Sequence, residues 1–360
     1  MNRFRITGEA ASSLAIIAIT ARVFFGTVMD MPQLVCAGWL AVVIGAAIAF
    51  PMVLLACIVR AHTKKSPAER LAECTTGRAM ERLLIVFAVY FAYDGAIVAR
   101  GVAHSASYLS LNDASLVELL LPILLICLFC LKCGGSAIGS AARLWRWFAP
   151  WLIGVIFLLQ VPQFRFEWLT PVLGPGRKTL ISCSIRVAGW FTMLIPLCFL
   201  SDSAEQSDSM HPMRLYFICA LLASVLMMLR RLMLPAMIGS EFDRYFFLLD
   251  TLLSNGRANI SLQLPIAIVW FFGMLFTLLA DAFLSAALLK RSIPGLPDGA
   301  LSVIAVLLIA VFALSGWTTR EIGLTAAWIA YPASGAMLIA CALILQNKKE
   351  GRSSCGNSHS

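Results

Sequence analysis

Four charged side chains lie well inside, away from the ends of, stretches apolar enough to enter a bilayer: Arg22, Asp94, Arg186 and Asp281. Arg22 is in the middle of LAIIAITARVFFGTVMDMPQ (14–33), one turn before Gly26, and Asp30 and Pro32 close that stretch. Asp94 follows Tyr90 and Tyr93, Arg186 precedes Gly189 by three residues, and Asp281 sits in FTLLADAF. A charge at the bilayer centre costs roughly 2.5–3.5 kcal/mol on insertion scales, so four unpaired charges cost on the order of 10 kcal/mol. Two cations and two anions remove much of that cost by meeting. Arg22 and Asp94, at similar depth, are the expected pair. Sealed among side chains, such a pair fixes helix packing. Beside a polar cavity it can read a zwitterion: a carboxylate takes an ammonium group, and unwound backbone amides near Phe25 and Gly26 take a carboxylate. A carboxylate there can also carry protons.

The elements that position these groups follow from composition. The 360 residues are 60% hydrophobic and 13% charged. A soluble domain is nearer 45–50% apolar and about 25% charged. The expected fold class is an all-α polytopic membrane protein. A span needs about 20 mostly apolar residues. Ten segments qualify: 10–29, 34–59, 83–103, 115–131, 144–161, 179–200, 214–238, 263–289, 300–316 and 322–346. The first reads as a retained span, without a signal-peptidase exit.

The net charge of +9 is a topology signal rather than a nucleic-acid one. Lys and Arg gather at the N-terminus, in the second, fourth and eighth loops, and after Gln346. These fall on one side of ten alternating spans, which places both termini in the cytoplasm. Ser66-Pro67-Ala68-Glu69 is a capping box opening a surface helix that ends near Gly77. The stretch 240–253 reads as an outer amphipathic helix. Prolines and glycines in 163–176 forbid a continuous helix. Residues 347–360 form a polar tail.

Arginine occurs in segments one and six, and aspartate in three and eight. An offset of five is the relation expected of two five-helix repeats of inverted topology, here 10–161 and 179–346 in a single domain, 1–346. Interrupted helices accompany such folds, and Gly26 and Gly189 mark the candidate breaks, with Pro196 following the second. Packing glycines are the alternative reading. His104 reads as a surface residue, and Trp145, Trp147 and Trp151 as interface anchors at the start of the fifth segment.

Most of the eleven cysteines lie in apolar segments, where a thiol behaves as a small apolar group. Cys127, Cys130 and Cys133 form CxxCxxC without an evident fourth ligand, so no metal and no cofactor are expected. No nucleotide loop, HExxH or nucleophile elbow is present, so the chain is not expected to be an enzyme.

With this pattern laid out, the sequence resembles the B subunits of spore nutrient-germinant receptors, a family within the amino acid–polyamine–organocation transporter superfamily. The resemblance runs diffusely over 5–345. Its points are Ala21-Arg22 through Gly26 to Pro32, the Trp168–Gly174 stretch before segment six, and the Leu248–Leu253 helix followed by Trp270. The family's sixth helix often reads phenylalanine-glycine-glycine-glutamate; here Ala188-Gly189-Trp190-Phe191 supplies no acid.

The resemblance implies a five-plus-five transporter-like fold with segments one, three, six and eight around a central site. The expected ligand-binding residues are Arg22, Phe25, Gly26, Tyr93, Asp94, Arg186, Gly189 and Asp281. The implied ligand is a small nutrient, typically an amino acid. Implied partners are an A-type membrane subunit and a C-type lipoprotein in the spore inner membrane. The rival readings are a proton-coupled amino acid permease, and a scaffold that has lost its ligand.

Overall fold

The computed structural model describes residues 4, 6–23, 37–61, 78–109, 114–161, 164–169, 176–200, 211–233 and 263–315. Within them the chain forms α1 (Gly8–Ala21), α2 (Gly38–Ala61), α3 (Arg78–Leu109), α4 (Leu116–Cys133) and α5 (Gly135–Gln160). A 3-10 turn, Phe166–Leu169, leads to α6 (Arg177–Phe191) and α7 (Leu194–Leu200), then α8 (Pro212–Met233), α9 (Gln263–Ser292) and α10 (Asp298–Leu314). Because α6 and α7 share the sixth apolar segment, α8, α9 and α10 are segments seven, eight and nine. The tenth segment, the surface helix after Ser66, the helix at 240–253 and the polar tail lie outside the described residues.

Seven described spans are long and apolar enough to cross a membrane, while α1 and α10 are shorter apolar helices. All of it is helical because no water is available in hydrocarbon to satisfy a backbone N–H or C=O, and a helix satisfies both internally. Pro51, Pro122 and Pro150 sit inside α2, α4 and α5, as neighbouring helices in a membrane permit.

Boundaries differ from expectation in the third and fifth spans. The third span continues to Leu109 rather than 103. The fifth begins at Gly135 rather than 144, because GSAIGSAAR is polar enough to look like a loop yet made of small residues that a helix accepts. A single residue, Gly134, joins α4 to α5. Its φ of 92° is a left-handed conformation that favours glycine. Ser115 and Glu118 form a capping box at the start of α4, an N-terminal signal overlooked in the sequence.

The sixth segment is where Pro196 acts. In an uninterrupted helix its missing N–H would orphan the Thr192 carbonyl, and its ring would crowd that group. Instead α6 stops at Phe191, Thr192 and Met193 form a turn, and α7 starts at Leu194. Pro196 then falls in the first turn of a new helix, where its lost donor matters little.

Packing follows an exchange of segment n with segment n+5. Among the described residues, the pairs that exchange maps to themselves are in contact: α1 with α7, α2 with α8, α3 with α9 and α4 with α10. Exchanged pairs also occur together: α1·α8 with α2·α6, α3·α10 with α4·α9, and α3·α4 with α9·α10. Five spans reverse the side on which a chain emerges, so the second set is inverted relative to the first. The correspondence has gaps: α1 packs along α9, whereas α3 does not pack along α6 to the same extent, and the contacts of α7 with α8 and α9 are not matched to the same extent by α1 with α2 and α3.

Small residues set the closest approaches. A Cβ on Gly45 would stand 2.7 Å from both the Ser184 carbonyl oxygen and Val187 Cβ. Since a backbone group cannot swing aside, Gly45→Ala is expected to push α2 off α6 and destabilise the protein by about 1–3 kcal/mol. The fraction of purified protein staying monodisperse after heating, compared with wild type, checks this.

Candidate functional site

The cluster is built from α1, α3 and α9. Arg22 is the residue immediately after α1, with backbone φ −58° and ψ −47°, and it is 3% exposed. Its Nη1 donates to Asp94 Oδ2 of α3, and its Nη2 donates to Asp281 Oδ2 of α9. One guanidinium thus bridges two carboxylates from opposite halves of the chain. Gly95 permits this: a Cβ there would lie 3.3 Å from Asp281 Cβ and 3.3 Å from Ile309 Cδ1. A larger residue there would crowd Asp281 and Ile309 and press α3 away from α9.

The two carboxylates have different surroundings. The Asp94 side chain keeps 14% of its surface exposed, whereas that of Asp281 keeps none. Asp281 Oδ1 and Arg22 Nε have no hydrogen-bond partner. One turn before Asp281, Thr277 donates to the Gly273 carbonyl at 2.9 Å and lies 3.4 Å from the Ala18 carbonyl of α1.

The break in the sixth segment adjoins this cluster through Tyr90, one turn before Asp94 on α3. Its hydroxyl donates to the Gly189 carbonyl at 3.5 Å. That carbonyl also accepts from the Thr192 amide at 3.1 Å and the Thr192 hydroxyl at 2.6 Å. Helix interruption has freed it from the usual i+4 amide, and three donors replace that partner.

The end of α1 is held from another side. Arg230 of α8, 4% exposed, donates from Nη1 to the Val23 carbonyl at 3.2 Å. From its position near a helix end, this arginine reads as one that extends to the interface. The structure instead turns it inward, onto the Val23 carbonyl just past the end of α1.

Of the expected site residues, the structure brings together Arg22, Asp94 and Asp281, with Gly189 next to them through Tyr90. Tyr93 is placed elsewhere: its ring lies edge-on to Phe312 of α10, centroids 5.7 Å apart. Tyr90 is the tyrosine beside the cluster, and its spacing of four from Asp94 was the available signal. Arg186 is buried in α6, 6% exposed, and takes no part in the Arg22 bridge. Phe25 and Gly26 lie outside the described residues. Thr192 went unnoticed in the sequence because it carries no charge, and Arg230 reads there as an interface residue because it lies near a helix end.

Away from the cluster, Glu9 at the start of α1 pairs with Arg143 at 3.1 Å and Arg146 at 3.5 Å on α5. Trp145 packs on Phe272 and Phe276 of α9, 5.1 and 6.5 Å between centroids. Trp147 and Trp151 are exposed. Among the described residues no group of three His, Cys, Asp or Glu is placed to hold a metal ion.

A multi-pass bundle of apolar helices, with buried charges bridging its two halves beside a broken helix, defines a membrane permease-type protein. The chain belongs to the spore germination protein family, whose model matches residues 10–239. No curated protein matches it. Among solved structures it is similar to a manganese transporter from Eremococcus coleocola. A mutant form of that transporter gives a TM-score of 0.41 at 16% identity, over 94% of this chain and 76% of the other. A complex of it with an aromatic bis-isothiourea substituted compound gives 0.40 at the same identity and coverage.

Proposed function

We propose that this protein is the membrane subunit of a spore nutrient-germinant receptor, which binds a small nutrient such as an amino acid and triggers germination without catalysing a reaction. The observation that carries this reading is the slightly exposed Asp94, held by Arg22 next to the interrupted sixth segment. A carboxylate fixed by one cation and still partly open can accept a second, the ammonium of an amino acid. The nutrient carboxylate is assigned to backbone amides near Phe25 and Gly26. Binding would shift an equilibrium between two arrangements of the repeats, and an A-type membrane subunit and a C-type lipoprotein would read that shift. The spore inner membrane is the site of action, with both termini cytoplasmic.

One observation favours a second reading, a proton-coupled amino acid permease: Asp281 is fully buried with one oxygen unpartnered. Two measurements separate the readings. Spores lacking the gene are expected to lose germination on one nutrient class, and the restored gene to return it. Proteoliposomes containing the protein alone are expected to show no accumulation of amino acids down an imposed proton gradient. Robust gradient-driven accumulation would replace the receptor reading with the permease.

A further inference from the structure

Eight Ser and Thr residues are buried in the described helices and their turns: Ser12, Ser13, Ser184, Thr192, Thr277, Ser285, Ser292 and Ser302. Seven of them donate to a backbone carbonyl three or four residues earlier, as an apolar environment demands. Ser285 does not. Its Oγ is buried with no partner, although its own helix offers the Asp281 carbonyl at i−4. One turn before it, on the same face of α9, the carboxyl oxygen Asp281 Oδ1 is buried with no partner either. Both residues are 0% exposed. Two orphaned polar atoms are therefore neighbours on one helix, where each leaves a desolvation cost of about 1–3 kcal/mol unmet.

We propose that Asp281 and Ser285 form a buried proton-binding site. With Asp281 ionised, the Ser285 hydroxyl donates to Oδ1. When a proton binds Oδ1, the hydroxyl turns and accepts from it. A hydroxyl is donor and acceptor at once, and in the protonated state its own hydrogen can go to the Asp281 carbonyl at i−4, so neither state leaves an orphan. A hydroxyl held in the backbone bond that the other seven make could not donate to the ionised carboxylate, and Ser285 lacks that bond.

The charge of the cluster points the same way. One guanidinium and two carboxylates sum to −1, and the proton brings this to zero. The charged groups acting on Asp281 are Arg22 from α1 and Asp94 from α3. Tyr90 of α3 and Cys127 of α4 are the other titratable groups near it. No charged side chain of α5, α7 or α10 is among its described partners. A metal cation fits poorly, because the Arg22 guanidinium already occupies Oδ2 of the same carboxylate. Asp94, with its exposed fraction, is left to the ligand. The site stands whether the protein signals or transports, since it rests on α9 and Arg22 and not on which nutrient binds.

Infrared spectra of the purified protein in nanodiscs, recorded across pH without nutrient, test this. A protonated-carboxyl C=O band is expected to appear as pH falls, to vanish in Asp281→Asn and to persist in Asp94→Asn. In Ser285→Ala the same band is expected to move to higher frequency, because its hydrogen bond is gone; this variant removes only a hydroxyl and serves if Asp281→Asn does not fold. A band lost in Asp94→Asn but kept in Asp281→Asn overturns the proposal. So does a wild-type protein with no titrating carboxyl band, or one stabilised by sodium and indifferent to pH. Loss of nutrient response with the band intact would count against the receptor reading and leave this site standing.

Discussion

Arg22→Ala is expected to destabilise the protein by about 3–5 kcal/mol, the range found when one partner of a buried ion pair is removed. The substitution deletes a side chain that is 3% exposed and abandons Asp94 and Asp281 to each other. Those carboxylates sit on α3 and α9, which approach each other at Gly95, so repulsion falls on the centre of the bundle. Adding Asp281→Asn should recover part of the loss by removing the more deeply buried anion. The measurement is the fraction of protein remaining monodisperse after heating, for wild type, the single variant and the double variant. A single variant as heat-stable as wild type would mean that the bridge does not hold the helices together. A double variant worse than the single would deny that the two anions oppose each other.

The second large effect concerns ligand response. Asp94→Asn should raise the nutrient concentration for half-maximal germination by roughly 10–100-fold. A hydrogen bond to a charged group is worth about 1.5–3 kcal/mol, and each 1.4 kcal/mol is tenfold in affinity. The amide retains the shape of the carboxylate and can still accept from Arg22, while Asp281 keeps its own bond to that guanidinium. Folding is therefore expected to survive, which separates this variant from Arg22→Ala. Spores carrying Asp94→Asn, with protein abundance checked, supply the dose curve. An unchanged curve removes Asp94 from nutrient binding and leaves the cluster a structural pin.

The two variants probe different properties of one triad. Arg22 is needed by both carboxylates, so its loss is felt as stability. Asp94 is the member with exposed surface, so its loss is felt by whatever arrives from solvent. The broken sixth segment adjoins that exposed member through Tyr90, and this gives a bound molecule a route to the helix packing.

Composition and hydropathy by themselves determined that this chain is a membrane-spanning helical bundle. The reason is that hydrocarbon leaves no other state for such apolar segments. Buried charge was equally legible: two arginines and two aspartates inside apolar stretches had to find partners, and Arg22 with Asp94 was the pairing their depths favoured. Tertiary structure alone decided that Asp281 joins the same guanidinium, because the register of α3 against α9 depends on the close approach at Gly95. It also decided that Tyr90 rather than Tyr93 faces the cluster, that Arg230 turns inward to the end of α1, and that Ser285 forgoes its backbone bond. Each of those is a matter of which way one side chain points. A chain's own periodicity narrows that direction but cannot fix it until a neighbouring helix supplies the partner.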